Sequence, residues 1–348
     1  MTSQHETKDL PGEVTSPAPG GGEPGSHGQG AHPAELLRFA MSRGSLLVTW
    51  AVMILVFALW QGHAFLQVGT FQTVFSSPVQ LVFLCMALVI TFAVGEFDLS
   101  VAAIMGLSGT LVTLLTVTHR FNPLLASLLA LAAAGLVGLV NGTLVVRLRV
   151  NPIVVTLGVG TCITGIAQWS TSLNTISGLP ASFSKIAIFG IGGISISFFY
   201  GLALTALLAY VLIATPLGLR MSFVGANPEV ARLAGVHVNR IRLGAYVASG
   251  LISGLGGVIL AATLGGFDPS SSPNYLLPAF AAVFLGTAVI QPGKFNPAGA
   301  FIGIFFLQTG IVGLQLAGLG GYIENLFYGA TLVVAVTIST IVRRRADG

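Results

Sequence analysis

Ten apolar runs fill the chain between residues 45 and 342, and they decide what it can fold into. They lie at about 45–65, 79–95, 99–118, 124–146, 153–173, 196–216, 242–264, 277–290, 298–316 and 323–342. A helix crosses the hydrocarbon core with about 20 apolar residues. The sequence therefore predicts an all-α polytopic membrane protein of about ten transmembrane helices. Only 7% of the residues are charged, against about a quarter in an average soluble domain. A soluble globular chain of this length is excluded. Two runs, 79–95 and 277–290, are too short to stand as simple perpendicular rods.

Charge gives the runs a direction. With the N-terminus in the cytoplasm, the 15 Lys and Arg residues all fall on the inner side except Arg120 and Lys185. Cytoplasmic loops retain Lys and Arg, so both termini are expected inside a plasma membrane. The net charge of +4 is scattered beside the spans, which argues against a nucleic-acid partner. Residues 1–34, with "PAPGGGEPGSHGQG" at their centre, are rich in Gly, Pro, Ser, Glu and His. Such a segment buries too little apolar surface to offset its ordering entropy. The expected layout is a disordered cytoplasmic tail over 1–44, a membrane domain over 45–342 and a basic cytoplasmic tail over 343–348. The first apolar run starts too late for a signal peptide and is expected to remain as an anchor.

Asn-Pro recurs at 122–123, 151–152, 227–228 and 296–297, each time before a helical run. Asn as N-cap with Pro in the first turn is a helix start signal. Gly250/Gly254 and Gly299/Gly303 have the four-residue spacing that lets membrane helices approach closely. Catalytic chemistry is nearly absent. "GLSG" at 106–109 has the form used by intramembrane serine proteases, but Ser108 has no candidate base, and small residues in a packed helix explain it better. "QPGKF" at 291–295 lacks the glycine-rich lead and the Ser/Thr of a phosphate loop. Cys85 and Cys162 lie in apolar runs without ligand spacing and read as packing residues. No cofactor and no metal site is expected.

"VGEFDLSV", residues 94–101, sets two carboxylates between apolar runs with almost no room for a loop. An acid at membrane depth costs at least ~2.5–3.5 kcal/mol and usually lines a path or finds a partner. Glu96, Phe97, Asp98 and Ser100 are therefore pathway candidates, with Asn141 and Thr156 beside them. For Asp98 the competing role is a cap for a helix starting at Leu99. An ion-coupled secondary transporter using Glu96 and Asp98 is the alternative class.

"GANPEVARLAG", residues 225–235, is a short polar helix between two greasy stretches. Asn227 suits the N-cap, Pro228 the first turn, Glu229 the positive end of the helix and Gly235 the left-handed stop.

Taken in order, "VGEFDLSVAAIMGLSG", "NPIVVTLGVGT", the 225–260 stretch and "AFAAVFLGTAVI" resemble the ribose-type permease subunits of ATP-binding cassette (ABC) importers, over roughly residues 45–342. The family commonly reads Gly-Gly-Ile-Asp-Leu-Ser where this chain has Glu96 and Phe97 in place of the second Gly and the Ile. The resemblance implies a non-enzymatic transport subunit for a small sugar or polyol in a bacterial plasma membrane. It implies a second permease chain, two ATPase subunits and an extracytoplasmic solute-binding protein as partners. It further implies that Glu229, Val230, Ala231, Arg232, Leu233, Ala234 and Gly235 form the coupling helix that enters a cleft of the ATPase. Ala231 and Leu233 are expected to face that cleft, with Glu229 and Arg232 on its polar rim.

Overall fold

The computed structural model describes residues 33–347, apart from 289 and 292. Of the tail expected over 1–44, residues 1–32 lie outside the described residues, and helix α1 (Pro33–Gln61) takes in the remainder. Gly348 of the expected basic tail also lies outside them. After α1 come α2 (Val68–Ser76), α3 (Val79–Ala93), α4 (Val101–Thr113, extended by a π-helical turn to Thr118), α5 (Pro123–Val146) and α6 (Pro152–Ser170). A short hairpin region holds β1 (Ile176–Ser177), α7 (Ala181–Ile188), β2 (Gly190–Ile191) and β3 (Ile194–Ser195). Helices α8 (Ile196–Ala214), α9 (Pro216–Ala226), α10 (Pro228–Leu233) and α11 (Val238–Leu264) follow. The chain ends with β4 (Gly266–Phe267), α12 (Leu276–Gly286), α13 (Pro297–Leu316) and α14 (Tyr322–Asp347).

The protein is an all-α polytopic membrane protein. Among the described residues, 7 helical stretches are long and apolar enough to cross a bilayer, and Leu46–Gln61 and Tyr322–Thr337 form shorter apolar helices. All four Asn-Pro pairs start helices as the sequence predicts. The side chains of Asn122, Asn151, Asn227 and Asn296 each accept a backbone N–H from the first turn of α5, α6, α10 and α13.

Both short runs have a structural explanation. Residues 79–93 are the second part of a 26-residue stretch, Val68–Ala93. Helix α2 supplies its first part, and the break falls at Ser77–Pro78. The polar residues Thr70, Gln72, Thr73 and Ser76 dilute α2, so hydropathy alone does not reveal it. Helix α12 has 11 residues, about 16 Å of rise, and the chain before it turns into the bundle. Phe267 and Ser272 are buried there, against Gly109 and Gly106 of α4. Non-helical backbone is tolerated at membrane depth only where protein covers it. Here β4 pairs antiparallel with β1, and the side of α4 covers the rest.

Helix α3 is apolar on every side and is buried throughout Leu81–Phe92. It forms the centre, packed against α11, α12, α13 and α8. Helix α5 buries a single stripe in which Ala126, Ala130, Ala134, Gly138 and Gly142 recur every four residues. Its other face carries exposed leucines, as lipid contact requires. The stripe must be small because α11 lies almost on its backbone. A Cβ added at Gly138 would stand 2.4 Å from the Tyr246 carbonyl oxygen, and one at Gly250 would stand 2.5 Å from that of Ala134. At Gly303 the corresponding distance is 2.5 Å to the Ala282 oxygen of α12. Both four-residue glycine pairs thus sit at close helix crossings, where dispersion must replace the missing hydrophobic drive. The "GLSG" residues serve packing as well. Ser108 is fully buried and donates to the Ala130 carbonyl at 3.4 Å.

The crossing of α11 with α4 offers a clean test. A Cβ at Gly257 would lie 2.1 Å from the Met105 carbonyl oxygen, whereas one at Gly244 meets nothing within 4 Å. Gly257→Ala should destabilise the detergent-solubilised protein by about 1–3 kcal/mol through overpacking. Gly244→Ala should be neutral or stabilising by up to ~1 kcal/mol, since it only raises helix propensity. Thermal unfolding of the two variants checks the pair, and equal midpoints would contradict the crossing.

Candidate functional site

Helix α10 is built to hold its shape. Asn227 Oδ1 accepts the Glu229 and Val230 N–H groups at 3.0 and 3.1 Å. At the other end Gly235 adopts φ +80. The Gly235 N–H reaches the Arg232 carbonyl and the Val236 N–H reaches that of Ala231, both at 3.0 Å. These bonds are the paired closures of a Schellman cap. Every orphan group the caps satisfy is one fewer reason for so short a helix to fray. Its faces then separate. Ala231 is only 3% exposed, while Leu233 is 89% exposed and Val230, Glu229 and Arg232 also face outward. The expectation that Ala231 faces a partner is corrected: its methyl group packs inward and anchors the helix to the bundle.

The second group of candidates, Glu96, Phe97, Asp98, Ser100, Asn141 and Thr156, is gathered into one cluster. It surrounds the break between α3 and α4. Helix α4 begins at Val101, two residues later than a cap at Asp98 requires, and Ser100 at its N-cap makes no capping bond. Asp98 instead closes a turn. Its Oδ1 accepts the Ser100 N–H at 3.0 Å and the Ser100 hydroxyl at 2.5 Å. Its Oδ2 accepts the Ser249 hydroxyl at 2.9 Å. Asn141 Nδ2 donates to Ser100 Oγ at 2.8 Å, and Thr156 Oγ1 accepts the Leu99 N–H at 3.0 Å. Asp98, Ser100, Asn141 and Thr156 are all fully buried. Asn141 Oδ1 has no hydrogen-bond partner, the one orphaned acceptor in this set.

Glu96 is 3% exposed and is engaged on both oxygens. Arg242 of α11 forms an ion pair and hydrogen bond with Oε1. The Tyr246 hydroxyl lies 3.0 Å from Oε2 and 3.3 Å from the Phe97 carbonyl oxygen. A buried acid needs such partners, because an uncompensated charge costs several kcal/mol. Phe97 is the member that reaches the surface, at 38% exposed. Its ring also meets Phe92 edge-on with centroids 5.1 Å apart.

Sequence reasoning missed Arg242, Tyr246 and Ser249. The signal was available. These three polar side chains recur at spacings of four and three on a helix otherwise rich in Gly, Leu and Ala, which puts them on one face. They were hidden because Arg242 sits where a snorkelling span-end arginine is ordinary.

The two candidate groups are in contact through backbone. Gly225, two residues before α10's cap, lies against the break. A Cβ there would stand 2.4 Å from the Ala93 carbonyl oxygen and 3.2 Å from the Gly95 nitrogen. Thus the segment entering α10 rests on the break, and α11, which leaves it, holds Glu96 in the same break. Both flanks of the exposed helix grip one buried hinge.

The site thus joins a buried break in a bundle of membrane helices to a rigid, doubly capped polar helix beside it. The chain belongs to the permease family described as "Branched-chain amino acid transport system / permease component", which matches residues 70–336. It is similar to the ribose import permease of Bacillus subtilis, 32% identical over 252 residues that cover 70% of this chain and 76% of the relative. The L-arabinose ABC transporter permease of Azospirillum brasilense is 31% identical over 73% of this chain and 74% of its own length. The fructose import permease of Rhizobium meliloti is 29% identical over 86% of each chain. The protein is therefore an ABC importer permease subunit, and such permeases work with an ATPase and a solute-binding protein. The ion-coupled alternative falls away, and Glu96 has a partner in its own chain.

Removing Arg242 should strand the Glu96 carboxylate. Breaking a fully buried pair costs about 3–5 kcal/mol. Arg242 keeps 24% of its side chain exposed, so Arg242→Leu should cost less, roughly 2–4 kcal/mol. Adding Glu96→Gln to Arg242→Leu should recover most of that loss. The thermal midpoints of the two variants measure it, and no recovery in the double variant would rule out the pair as the cause.

Proposed function

We propose that this chain lines the passage by which a bacterial importer moves a small sugar or polyol inward across the cytoplasmic membrane. An extracytoplasmic binding protein delivers the solute. Two permease chains, this one paired with a copy of itself or with a similar permease, assemble with two ATPase subunits. The 7 long apolar stretches, the two shorter apolar helices and α12 would make ten passes, with both termini in the cytoplasm. In this layout residues 45–342 are the membrane domain, flanked by cytoplasmic tails at 1–44 and 343–348. The arrangement of basic residues supports that orientation. The relatives named for ribose, arabinose and fructose support the choice of solute class.

Residues 229–235 act as the coupling helix. The observation that carries this is Leu233, an apolar side chain held almost wholly exposed on a doubly capped helix. Val230 extends the apolar surface, Glu229 and Arg232 form its polar rim, and Ala234 and Gly235 close the helix. Movement of an ATPase cleft displaces α10 as a rigid piece. Gly225 and Arg242 carry that displacement to the 94–100 break from its two sides. Phe97 then shifts at the end of the passage, held by the cluster of Glu96, Asp98, Ser100, Asn141 and Thr156. These six residues remain the pathway candidates, five as the frame and Phe97 as the contacting face.

Leu233→Asp should place an unpaired charge in the ATPase interface, a change on the order of 2–5 kcal/mol and hence more than tenfold in association. The permease should stay folded, because position 233 touches little of its own chain, while the ATPase dissociates or hydrolyses without responding to solute. Normal solute-stimulated hydrolysis and a normal complex on size exclusion would remove α10 from this role.

A further inference from the structure

At the opposite end of α11 from Arg242, about 26 Å along the helix, lies a cavity of about 380 Å³. It is framed by the α2–α3 break, the β2–β3 hairpin and the last turns of α11. The volume falls within the ~300–1,000 Å³ of small-molecule sites. We propose that this cavity is a solute subsite for a neutral polyhydroxylated molecule of monosaccharide size. The inference rests on reading the chain as a sugar or polyol permease, and it names where in this chain that solute is held.

Its lining combines hydroxyl and amide groups with aliphatic surface. Ser76, Ser77, Gln80, Ser195 and Ser197 supply most of the polar part, with Thr263, whose hydroxyl hydrogen is given to the Ile259 carbonyl, and Val79 and Leu260 supply part of the apolar part. The hydrogen bonds already made decide what remains for a ligand. Ser195 and Ser197 both donate their hydroxyl hydrogens to the Ala187 carbonyl, at 2.5 and 2.6 Å. Ser195 Oγ also accepts the Ser197 N–H at 3.3 Å, which leaves one acceptor site on Ser195 and the acceptor sites of Ser197. Ser76 Oγ accepts the Ser195 N–H at 3.2 Å, which leaves its hydrogen to donate. The Gln80 amide and the Ser77 hydroxyl keep both capacities. A sugar hydroxyl both donates and accepts, and its ring carbons present C–H surface to the aliphatic groups.

The same lining disfavours other occupants. No residue around the cavity is charged. A zwitterionic amino acid would have to leave its carboxylate and ammonium without counter-charges, at a cost of several kcal/mol. A lipid chain would leave the amide and hydroxyls unmatched. A polar amide in a membrane helix is costly unless it is used, and Gln80 sits in the second position of α3. Its place at the α2–α3 break puts the subsite far from the coupling helix, on the face where an extracytoplasmic binding protein would release its load.

The test uses the complete transporter in proteoliposomes, with D-ribose, L-arabinose and D-fructose as probes. Gln80→Leu should lower uptake of the transported sugar by roughly five- to tenfold, the scale of one or two lost neutral hydrogen bonds. Gln80→Asn should restore part of it, and binding of the ATPase should be unchanged in both. In a Cys162→Ser background, Gln80→Cys should react with a small hydrophilic maleimide added from the binding-protein side. The transported sugar at millimolar concentration should slow that reaction, while leucine should not. Wild-type uptake by Gln80→Leu, or modification only by a lipid-soluble reagent, overturns the subsite. A wild-type complex that moves leucine or valine and none of the three sugars overturns the underlying reading, and the subsite with it.

Discussion

An interruption in a membrane helix strips peptide groups of their helical partners, and the centre of this protein is organised around supplying them. At the break between α3 and α4, the Val94, Gly95 and Glu96 N–H groups turn back to carbonyls of Thr91 and Phe92. The Leu99 N–H is taken by Thr156, the Ser100 N–H by Asp98, and the Phe97 carbonyl by Tyr246. Thr156 belongs to α6 and Tyr246 to α11, Asp98 lies in the break itself, and Asn141 of α5 donates to the Ser100 hydroxyl, so α5, α6 and α11 are all committed to one short segment. Buried polar networks stabilise only when nearly every member is matched, and then they specify one arrangement. That is why the break can be both irregular and fixed.

From this centre the rest of the bundle follows. Helix α11 must lie close enough for Arg242, Tyr246 and Ser249 to reach the break, which requires small residues wherever it crosses a neighbour. The glycines at 138, 250 and 257 meet that requirement against α5 and α4. At the opposite end of the bundle the structure opens into the α2–α3 break and the hairpin of β2 and β3, beside the segment before α12 that packs on Gly106 and Gly109 of α4.

Local chemistry was legible in the sequence where it acts over a few residues. The four Asn-Pro caps, the stop at Gly235, the close glycine pairs and the interruption at 94–100 all follow from side chains acting on their own backbone or from spacing along one helix. What was hidden depends on distant parts of the chain. Glu96 and Arg242 are 146 residues apart, and no local pattern pairs them. Helix α2 escaped because Thr70, Gln72, Thr73 and Ser76 lower its hydropathy; Ser76 lines the cavity and Gln72 lies against Gly193 of the hairpin. The inward face of Ala231 is likewise a tertiary fact, invisible to a reading that saw only a small residue on a short helix.

The placement of Arg242 outside α10 but in contact with the break that α10's entry segment also touches has a consequence for how this protein can be recombined with its relatives. A transplant limited to residues 227–235 would exchange the exposed helix and leave both Gly225 on the break and Glu96 with its arginine. A transplant that carried in an α11 without Arg242, Tyr246 and Ser249 would strand the acid behind them. The heritable module is therefore discontinuous: residues 94–100 and the first half of α11 must travel together, while the surface helix between them can be swapped on its own.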